Sequence, residues 1–262
     1  MIEARALQLG YGRAVVLQEV SVTLRPGELV GIVGPNGSGK STLLRALAGA
    51  LVPQAGEIAV DGHPVGALAH ADRARRVALV AAEEHVDDDV TVHEAVALGR
   101  LAHRPWWRWS GDLHDEEIVA EAMARVGLLP FADRAVATLS SGERQRVWIA
   151  TALAQQAPTL LLDEPTSHLD LAGAYATLDV LHGLAADGAA VAVVLHDLNL
   201  AGAAVDRVVL IGEGTVLADG AVEDVFRDEL LSRAYGARIG VLRTTDGTLV
   251  AAPAGRRARG TP

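Results

Sequence analysis

The sequence contains Gly34-Pro35-Asn36-Gly37-Ser38-Gly39-Lys40-Ser41-Thr42, which matches the pattern G-x-x-x-x-G-K-[ST]. A mostly apolar run precedes this stretch, and a helical pattern with leucines on one face follows from Lys40. Such a loop wraps its backbone N–H groups around a phosphate, while Lys40 adds a positive charge and the Ser41 hydroxyl is a candidate Mg²⁺ ligand. An ordinary glycine-rich turn is the alternative, but the register of Lys40 and Ser41 favours a nucleotide phosphate site formed by residues 34–42.

Two adjacent carboxylates form a second candidate site. The apolar run Leu160-Leu161-Leu162 ends in Asp163 and Glu164, and open α/β sheets place their chemistry at the carboxyl ends of strands. A strand that merely ends in polar residues would look the same, but the phosphate-binding loop upstream favours a catalytic interpretation. We therefore predict that Asp163 holds Mg²⁺, directly or through water, and that Glu164 polarises an attacking water as general base.

The pattern of apolar runs predicts an α/β fold with a mostly parallel sheet covered by helices. The N-terminal residues alternate between apolar and polar and predict an antiparallel β subdomain. Residues 91–156 have helical patterns and predict an inserted α-helical subdomain. We expect one domain over 1–262, with 1–90 and 157–252 as the nucleotide-binding core and 253–262 as a disordered tail; residues 240–251 fit a small added hairpin.

Composition limits the classes of protein that fit. The 262 residues carry a formal net charge of −10, which argues against a nucleic-acid partner. The sequence has no cysteine, which excludes disulfides and thiolate metal sites. We see neither a secretory signal nor an apolar run near the ~20 residues that a membrane-spanning helix needs. These features predict a cytoplasmic protein.

One further motif distinguishes among phosphate-loop proteins. The stretch Leu139-Ser140-Ser141-Gly142-Glu143-Arg144-Gln145 resembles the LSGGQ signature of ABC (ATP-binding cassette) ATPases. As in that family, a helical pattern and then the Asp163-Glu164 strand follow it. Ser140 and Glu143 also fit a helix capping box, which is compatible with the signature. The resemblance runs from residue 11 to about residue 225 and implies the ABC ATPase fold, with ATP and Mg²⁺ bound.

The resemblance also implies how the site residues are divided. In this family two subunits pack head to tail, so that the signature of one contacts the ATP of the other. Tyr11, stacking on adenine, and Val16 are then nucleotide-binding residues. His196 would contact the γ-phosphate together with the catalytic Glu164. The residues expected to act on the partner's nucleotide are Ser140, Ser141, Gly142, Glu143 and, from the stretch Ser167-His168-Leu169-Asp170, Asp170.

Two positions depart from the family pattern. The family places a glutamine that helps to ligate Mg²⁺ at the position of Ala82, where alanine offers no side-chain oxygen. Glu83 or Glu84 could reach the site, water could fill the position, or hydrolysis could be weakened. Ser141 stands where glycine is commoner.

Softer similarities concern the kind of transporter. Several stretches resemble ATPases of bacterial importers for iron-siderophore complexes, heme and vitamin B12, above all His196-Asp197-Leu198-Asn199-Leu200-Ala201. This resemblance implies a homodimer on the cytoplasmic face of the inner membrane, a polytopic permease and a substrate-binding protein. A nucleotide-dependent regulatory switch, or a non-transport ABC ATPase with weak turnover, is the alternative. The tryptophans at 106, 107 and 109 could contact the permease or simply pack a loop.

Overall fold

The computed structural model describes residues 1–81, 89–104, 113–167 and 169–254. The strands are β1 (Ile2–Tyr11), β2 (Ala14–Leu24), β3 (Glu28–Val33), β4 (Ala55–Val60), β5 (His63–Pro64), β6 (Val77–Val80), β7 (Thr159–Asp163), β8 (Ala190–Val194), β9 (Arg207–Gly212), β10 (Thr215–Ala221), β11 (Ile239–Arg243) and β12 (Leu249–Pro253). The α-helices are α1 (Lys40–Leu47), α2 (His70–Ala74), α3 (Val92–Ala97), α4 (Leu113–Arg125), α5 (Ser141–Ala154), α6 (Leu171–Ala186), α7 (Leu198–Ala204), α8 (Val222–Val225) and α9 (Asp228–Tyr235). Short 3-10 turns span Val65–Ala67, Leu98–His103, Leu129–Phe131 and Val136–Thr138.

A six-stranded sheet forms the centre of the fold, in the order β10-β9-β3-β8-β7-β6. The strands β9, β3, β8, β7 and β6 run parallel, and only β10 is antiparallel to its neighbour. Every residue of β7 and β8 is buried, as expected for parallel strands covered on both faces. The predicted mostly parallel α/β sheet is confirmed.

The side chains of the central strands divide between two hydrophobic cores. Leu160, Leu162, Val191 and Val193 face one core, which also contains buried residues of α3, α4, α5 and α6. Leu161, Ala192 and Val194 face the other core. Successive residues of a strand point to opposite faces of the sheet, which explains this alternation. Helices therefore cover one face, while α1 and the N-terminal strands cover the other.

The N-terminal strands form a second, antiparallel sheet in the order β2-β1-β4-β5. Ile2 pairs with Leu24 on one side and with Val60 on the other. The buried side chains of this sheet share a core with Leu43 and Leu47 of α1. The helix that follows the phosphate-binding loop is thus held between the two sheets.

The C-terminal part ends in the hairpin that the sequence predicts. β11 and β12 pair antiparallel, from Ile239 with Pro253 to Arg243 with Leu249. Pro253 therefore belongs to a strand and not to the predicted tail. Several residues named from the sequence lie outside the described residues: Ala82 with Glu83 and Glu84, the tryptophans at 106, 107 and 109, His168 and the tail from 255 onward. Within the described ranges, no helix has the length and apolar character needed to cross a bilayer.

A buried ion-pair cluster joins three segments between β6 and β7. Arg100 Nε donates to Asp115 Oδ1 at 2.7 Å, and Arg104 Nε donates to Asp115 Oδ2 at 2.8 Å. Arg100 Nη1 also donates to the carbonyl oxygen of Ala154 at 2.8 Å. Burial acts to raise the pKa of Asp115, but hydrogen bonds and charges from the two arginines outweigh it and lower that pKa. The cluster ties the 3-10 turn after α3 to the start of α4 and the end of α5.

We expect Asp115→Ala to lower the free energy of unfolding by about 3–5 kcal/mol, because it leaves the Arg100 guanidinium buried without its carboxylate. Urea denaturation at pH 7 measures this loss. Glu117→Ala, on the exposed side of the same helix, is the matched control and should change stability by less than about 0.5 kcal/mol. Because its folded-state pKa is lowered, Asp115 stabilises the fold above its unfolded pKa, near 4. The stabilisation is lost as pH falls through the folded value. Equal losses for Asp115→Ala and Glu117→Ala would contradict the role of the cluster.

Candidate nucleotide-binding site

The loop between β3 and α1 is pressed against its neighbours. Gly34 has a φ of 154° and Gly39 a φ of 100°. A Cβ on Gly34 would lie 2.2 Å from the carbonyl oxygen of Ile211, and one on Gly39 would lie 2.8 Å from Leu17 Cγ. Only glycine fits at these two positions, because any side chain would collide with β9 or β2. The loop is therefore a fixed cradle, and the hydroxyl of Ser38 inside it is buried without a partner among the described residues.

Lys40 is the first residue of α1 and is buried. Its ammonium donates to the carbonyl oxygens of Gly34 at 2.9 Å and Pro35 at 3.0 Å, so it lies over the loop. Burial lowers the pKa of Lys40, and the carboxylates of Glu164 and Asp163 oppose that effect. A phosphate beside the ammonium would favour its charged form. The cradle and its lysine therefore fit the anion that the sequence predicts.

Ser41 and Asp163 meet at the end of β7. Ser41 Oγ donates to Asp163 Oδ1 at 2.9 Å. Burial raises the pKa of Asp163, the hydrogen bond from Ser41 lowers it, and the neighbouring Glu164 raises it; the net shift is upward. A cation would reverse this shift by favouring the carboxylate form. A hydroxyl and a carboxylate in contact are oxygen ligands of the kind that Mg²⁺ prefers, so the two residues fit the ion predicted for them.

Glu164 and His196 approach each other across the site. Glu164 Oε1 lies 2.5 Å from His196 Nε2, although 32 positions of sequence separate the two residues. Glu164 has a φ of 54°, a left-handed conformation that is uncommon for a residue with a side chain and is often found at functional sites. This conformation follows directly on β7 and turns the carboxylate away from the strand direction.

These groups line one open cavity of about 490 Å³. Its lining includes Lys40, Ser41, Glu164 and His196, together with Asn36, Gly37, Gly39 and Thr42 of the loop, and Val16. Tyr11 does not line this cavity: it stands at the end of β1, paired with Ala14, and is 51% exposed. An exposed ring at the edge of the site is accessible for stacking on a base. The structure thus brings the predicted catalytic and phosphate-binding residues together and leaves Tyr11 outside the cavity.

The signature residues lie at the start of α5 and do not line that cavity. The Ser140 hydroxyl and backbone N–H both donate to Glu143 Oε2, each at 2.7 Å. The hydrogen bond from the Ser140 hydroxyl lowers the pKa of Glu143 most, and the bond from the Ser140 N–H lowers it further. The helix begins at Ser141, directly after Ser140, because Ser140 and Glu143 form the capping box that their spacing in the sequence predicts.

Asp170 lies near the signature and caps α6. Its Oδ1 accepts a hydrogen bond from the Gly173 N–H at 2.7 Å. A Cβ on Gly142 would lie 3.2 Å from Leu169 Cδ2, so the signature and the start of α6 are neighbours. The residues predicted to act on a partner's nucleotide thus form a second group, apart from the cavity of their own chain.

Asp197 has a structural role beside the site that none of the sequence motifs predicts. Its Oδ1 accepts hydrogen bonds from the backbone N–H groups of Asn199 at 2.7 Å and Leu200 at 3.4 Å, which caps α7 beside His196. An aspartate directly before an apolar helical pattern is the usual signal for such a cap. His196 therefore stands on a defined turn between β8 and a capped helix.

Comparisons with known proteins show the family to which the chain belongs. The ABC transporter family matches residues 17–167. The chain is 47% identical over 227 residues to the hemin import ATP-binding protein of Nocardia farcinica, covering 87% of this chain and 78% of that protein. It is 40% identical over 263 residues to the ferric enterobactin transport ATP-binding protein of Escherichia coli, covering 99% of this chain and 96% of that protein. A solved dimer of the ATP-binding cassette MJ0796, in a post-hydrolysis state bound to ADP and Pi, has a TM-score of 0.74 at 28% identity, covering 85% of this chain and 99% of that chain.

The matched family region includes most of the site. Residues 17–167 contain the phosphate-binding cradle, the signature and the pair Asp163 and Glu164. The resemblance based on the signature is confirmed, and so is the expected binding of ATP. The chain belongs to the ABC transporter family, as one of its ATP-binding subunits that hydrolyse ATP.

Proposed function

We propose that this ATPase powers a bacterial importer whose cargo is an iron-siderophore complex, heme or a cobalamin. The observation that carries the proposal is the contact between Glu164 and His196, which line the same cavity as Lys40. This contact supports the roles of general base and phosphate-sensing imidazole beside the nucleotide that Lys40 would hold. The names of the relatives, hemin import and ferric enterobactin transport, support the proposed class of cargo.

The residues of this chain have separate tasks in the proposed hydrolysis. The backbone N–H groups of the cradle and the Lys40 ammonium hold the phosphates and stabilise the charge that develops on them. Glu164 orients the attacking water and accepts its proton. His196 holds the Glu164 carboxylate in position, since His196 Nε2 and Glu164 Oε1 are 2.5 Å apart. Because phosphoryl transfer depends mainly on position and charge, these contacts account for the chemistry without a covalent intermediate.

Mg²⁺ is the proposed cofactor, held by Ser41 and Asp163. When bound, it supplies positive charge that neutralises the phosphate oxygens. The Ser41 hydroxyl and the Asp163 carboxylate are already in contact, at 2.9 Å, so both oxygens can serve one ion with little rearrangement.

The proposed working unit is a head-to-tail homodimer. Its support is that Ser140, Gly142 and Asp170 lie outside the cavity of their own chain, on a surface that a second copy could use. The solved cassette with the same fold is a dimer. In such a dimer Ser140 would meet the partner's γ-phosphate, and its hydroxyl would exchange the Glu143 carboxylate for that phosphate.

The remaining proposed partners follow from the importer hypothesis. They are a polytopic permease and a substrate-binding protein, with this subunit peripheral at the cytoplasmic face of the inner membrane. The net charge of −10 disfavours nucleic acid as a partner.

We expect Glu164→Gln to reduce kcat for ATP by about 10²–10⁴-fold, because the amide cannot accept the proton. The affinity for MgATP should change little, since Lys40 and the cradle are intact. Steady-state ATPase rates and equilibrium nucleotide binding measure the two effects. Equal and very low rates for wild type and Glu164→Gln would instead favour a regulatory switch without turnover.

Mixing two inactive variants tests the shared site. Lys40→Ala disables the phosphate cradle and Ser140→Arg blocks the signature, so each homodimer should be inactive. A mixed dimer has one intact composite site, and a random mixture should recover up to about a quarter of the wild-type rate. ATPase activity of the mixture, compared with the sum of the separate variants, measures this recovery. Absence of recovery, or full activity of Ser140→Arg alone, would contradict the head-to-tail dimer.

The position of Ala82 provides a further test. We expect Ala82→Gln to raise the ATPase rate by about threefold, because the family pattern has a glutamine at this position whose side-chain oxygen helps to ligate Mg²⁺. The rate at saturating MgATP is the measurement, with Ala82→Leu as the control that adds bulk without an oxygen. A lower or unchanged rate for Ala82→Gln would show that this chain works without that ligand.

A further inference from the structure

The segment after β10 touches the site at two separate places. We call α9 and the hairpin β11–β12 the C-terminal brace. One end of the brace lies against the phosphate-binding loop and the other against α7, the helix that follows His196. We propose that this brace fixes the position of His196 relative to the phosphate-binding loop, with Tyr235 and Asn199 as the positioning residues at its two ends. The inference rests on the role proposed above for His196.

The first end is the contact of α9 with the start of the loop. A Cβ on Gly212 would lie 3.1 Å from Ala234 Cα, so α9 packs closely on the end of β9. The next residue, Tyr235, has a buried hydroxyl with no hydrogen-bond partner among the described residues. Burial raises the pKa of Tyr235 to about 12, and the nearby backbone of Gly34 partly opposes this rise. A Cβ on Gly34 would lie 2.2 Å from the carbonyl oxygen of Ile211, the residue before Gly212, so the start of the loop and α9 both pack on the end of β9. The helix that carries the neutral Tyr235 therefore supports the loop through β9.

The middle of the brace is held by hydrogen bonds between α9 and β11. The backbone N–H of Ile239 donates to Ser232 Oγ at 2.9 Å, and the Ser232 hydroxyl donates to the Ile239 carbonyl at 3.2 Å. The Val241 N–H donates to Asp228 Oδ1 at 2.8 Å. The helix α9 and the hairpin are therefore joined at Ile239 and at Val241 of β11, and they form one unit.

The second end is the contact of β12 with α7. The Ala251 N–H donates to Asn199 Oδ1 at 2.8 Å. One turn later, a Cβ on Gly202 would lie 2.5 Å from the carbonyl oxygen of Leu249, so the hairpin backbone lies directly on the helix. With seven residues, α7 is too short to be stable alone, and its position depends on what it packs against.

The contact between β12 and α7 lies only a few residues along the chain from His196. Asn199 lies three residues after His196, and its N–H is bound by Asp197, the cap of α7. A small displacement of α7 would change the contact of 2.5 Å between His196 and Glu164. Displacements of this kind reduce turnover strongly even when they begin away from the reacting atoms. The brace therefore connects the part that binds phosphate to the part that completes hydrolysis.

The central experiment compares Asn199→Ala with Asn199→Asp in the purified full-length protein with MgATP. Asn199→Ala removes the acceptor for the Ala251 N–H and should lower kcat by about three- to tenfold with KM within about twofold. Asn199→Asp keeps an acceptor oxygen and should restore most of the rate. Thr248→Ala, in the turn of the hairpin, is the matched control and should behave as wild type. Similar losses for Asn199→Ala and Asn199→Asp, or for Asn199→Ala and Thr248→Ala, would overturn the role of Asn199.

A second comparison shows whether Asn199 acts through His196. In a His196→Ala background, Asn199→Ala should reduce kcat no further, because the group it positions is gone. A further loss of the same size would refute the brace as a support for His196. If His196→Ala alone leaves kcat unchanged, the proposed role of His196 is wrong. Amide hydrogen exchange then tests separately whether the brace holds α7 in place. Asn199→Ala must then accelerate exchange over residues 196–204 by about threefold or more, and unchanged exchange would overturn the contact as a constraint.

The other end is tested with Tyr235→Ala, which removes the ring from α9. We expect the KM for MgATP to rise by about threefold with kcat little changed, because α9 then packs less closely on the end of β9 that supports the loop. Tyr235→Phe removes only the unpaired hydroxyl and is the matched control, with a KM within about twofold of that of the wild type. Tyr235→Ala and Asn199→Ala release the same constraint, so the double variant should lose less kcat/KM than the product of the single losses. Residues that act independently give multiplied losses, and this outcome would show that the two ends are not coupled.

Discussion

The parallel hydrogen-bond ladder that joins β3 to β8 and β8 to β7 brings three distant chain segments to one edge of the sheet. Ile32 pairs with Val194, and Val194 pairs with Asp163. The phosphate-binding loop leaves directly after β3, Glu164 follows β7, and His196 follows β8 by one intervening residue. A one-residue slip in either ladder would move the carboxylate or the imidazole by about 3.3 Å and point alternate side chains to the wrong face. The two buried cores maintain this register.

Charge is concentrated where these three strands end. Burial disfavours the charged forms of both Lys40 and Asp163, which lowers the first pKa and raises the second. A phosphate beside Lys40 and a cation beside Asp163, as proposed for this site, would oppose both shifts, because each ionised side chain would then face an opposite charge. The two shifts are therefore consistent with the proposed metal-bound phosphate.

Local sequence patterns predict the elements of the site well. The cradle at 34–42 and the strand ending in Asp163 are contiguous stretches, and their chemistry follows from residue type and spacing. The capping box of Ser140 and Glu143 is also local. The contact between Glu164 and His196 depends on the pairing of β7 with β8, which local sequence does not show. The family resemblance implied only that both residues act at the γ-phosphate.

Other features left no readable signal in the sequence. The left-handed backbone at Glu164 is unusual for glutamate, so composition gives no hint of it. Tyr235 lies some 200 residues from Gly34, and the hairpin amide that binds Asn199 comes from a segment without a motif.

The capping box at the signature has a consequence for the timing of the proposed dimer. In each separate chain, the Glu143 carboxylate already satisfies the Ser140 hydroxyl and N–H. Only a ligand that offers comparable anionic oxygens at this place can displace it, and in the proposed dimer that ligand is the γ-phosphate of ATP, which ADP lacks. Once that phosphate leaves, the Glu143 carboxylate can again accept the hydrogen bonds from Ser140. In the proposed dimer, Glu143 would therefore compete with the nucleotide for Ser140, and this competition would favour separation of the two copies after each turnover.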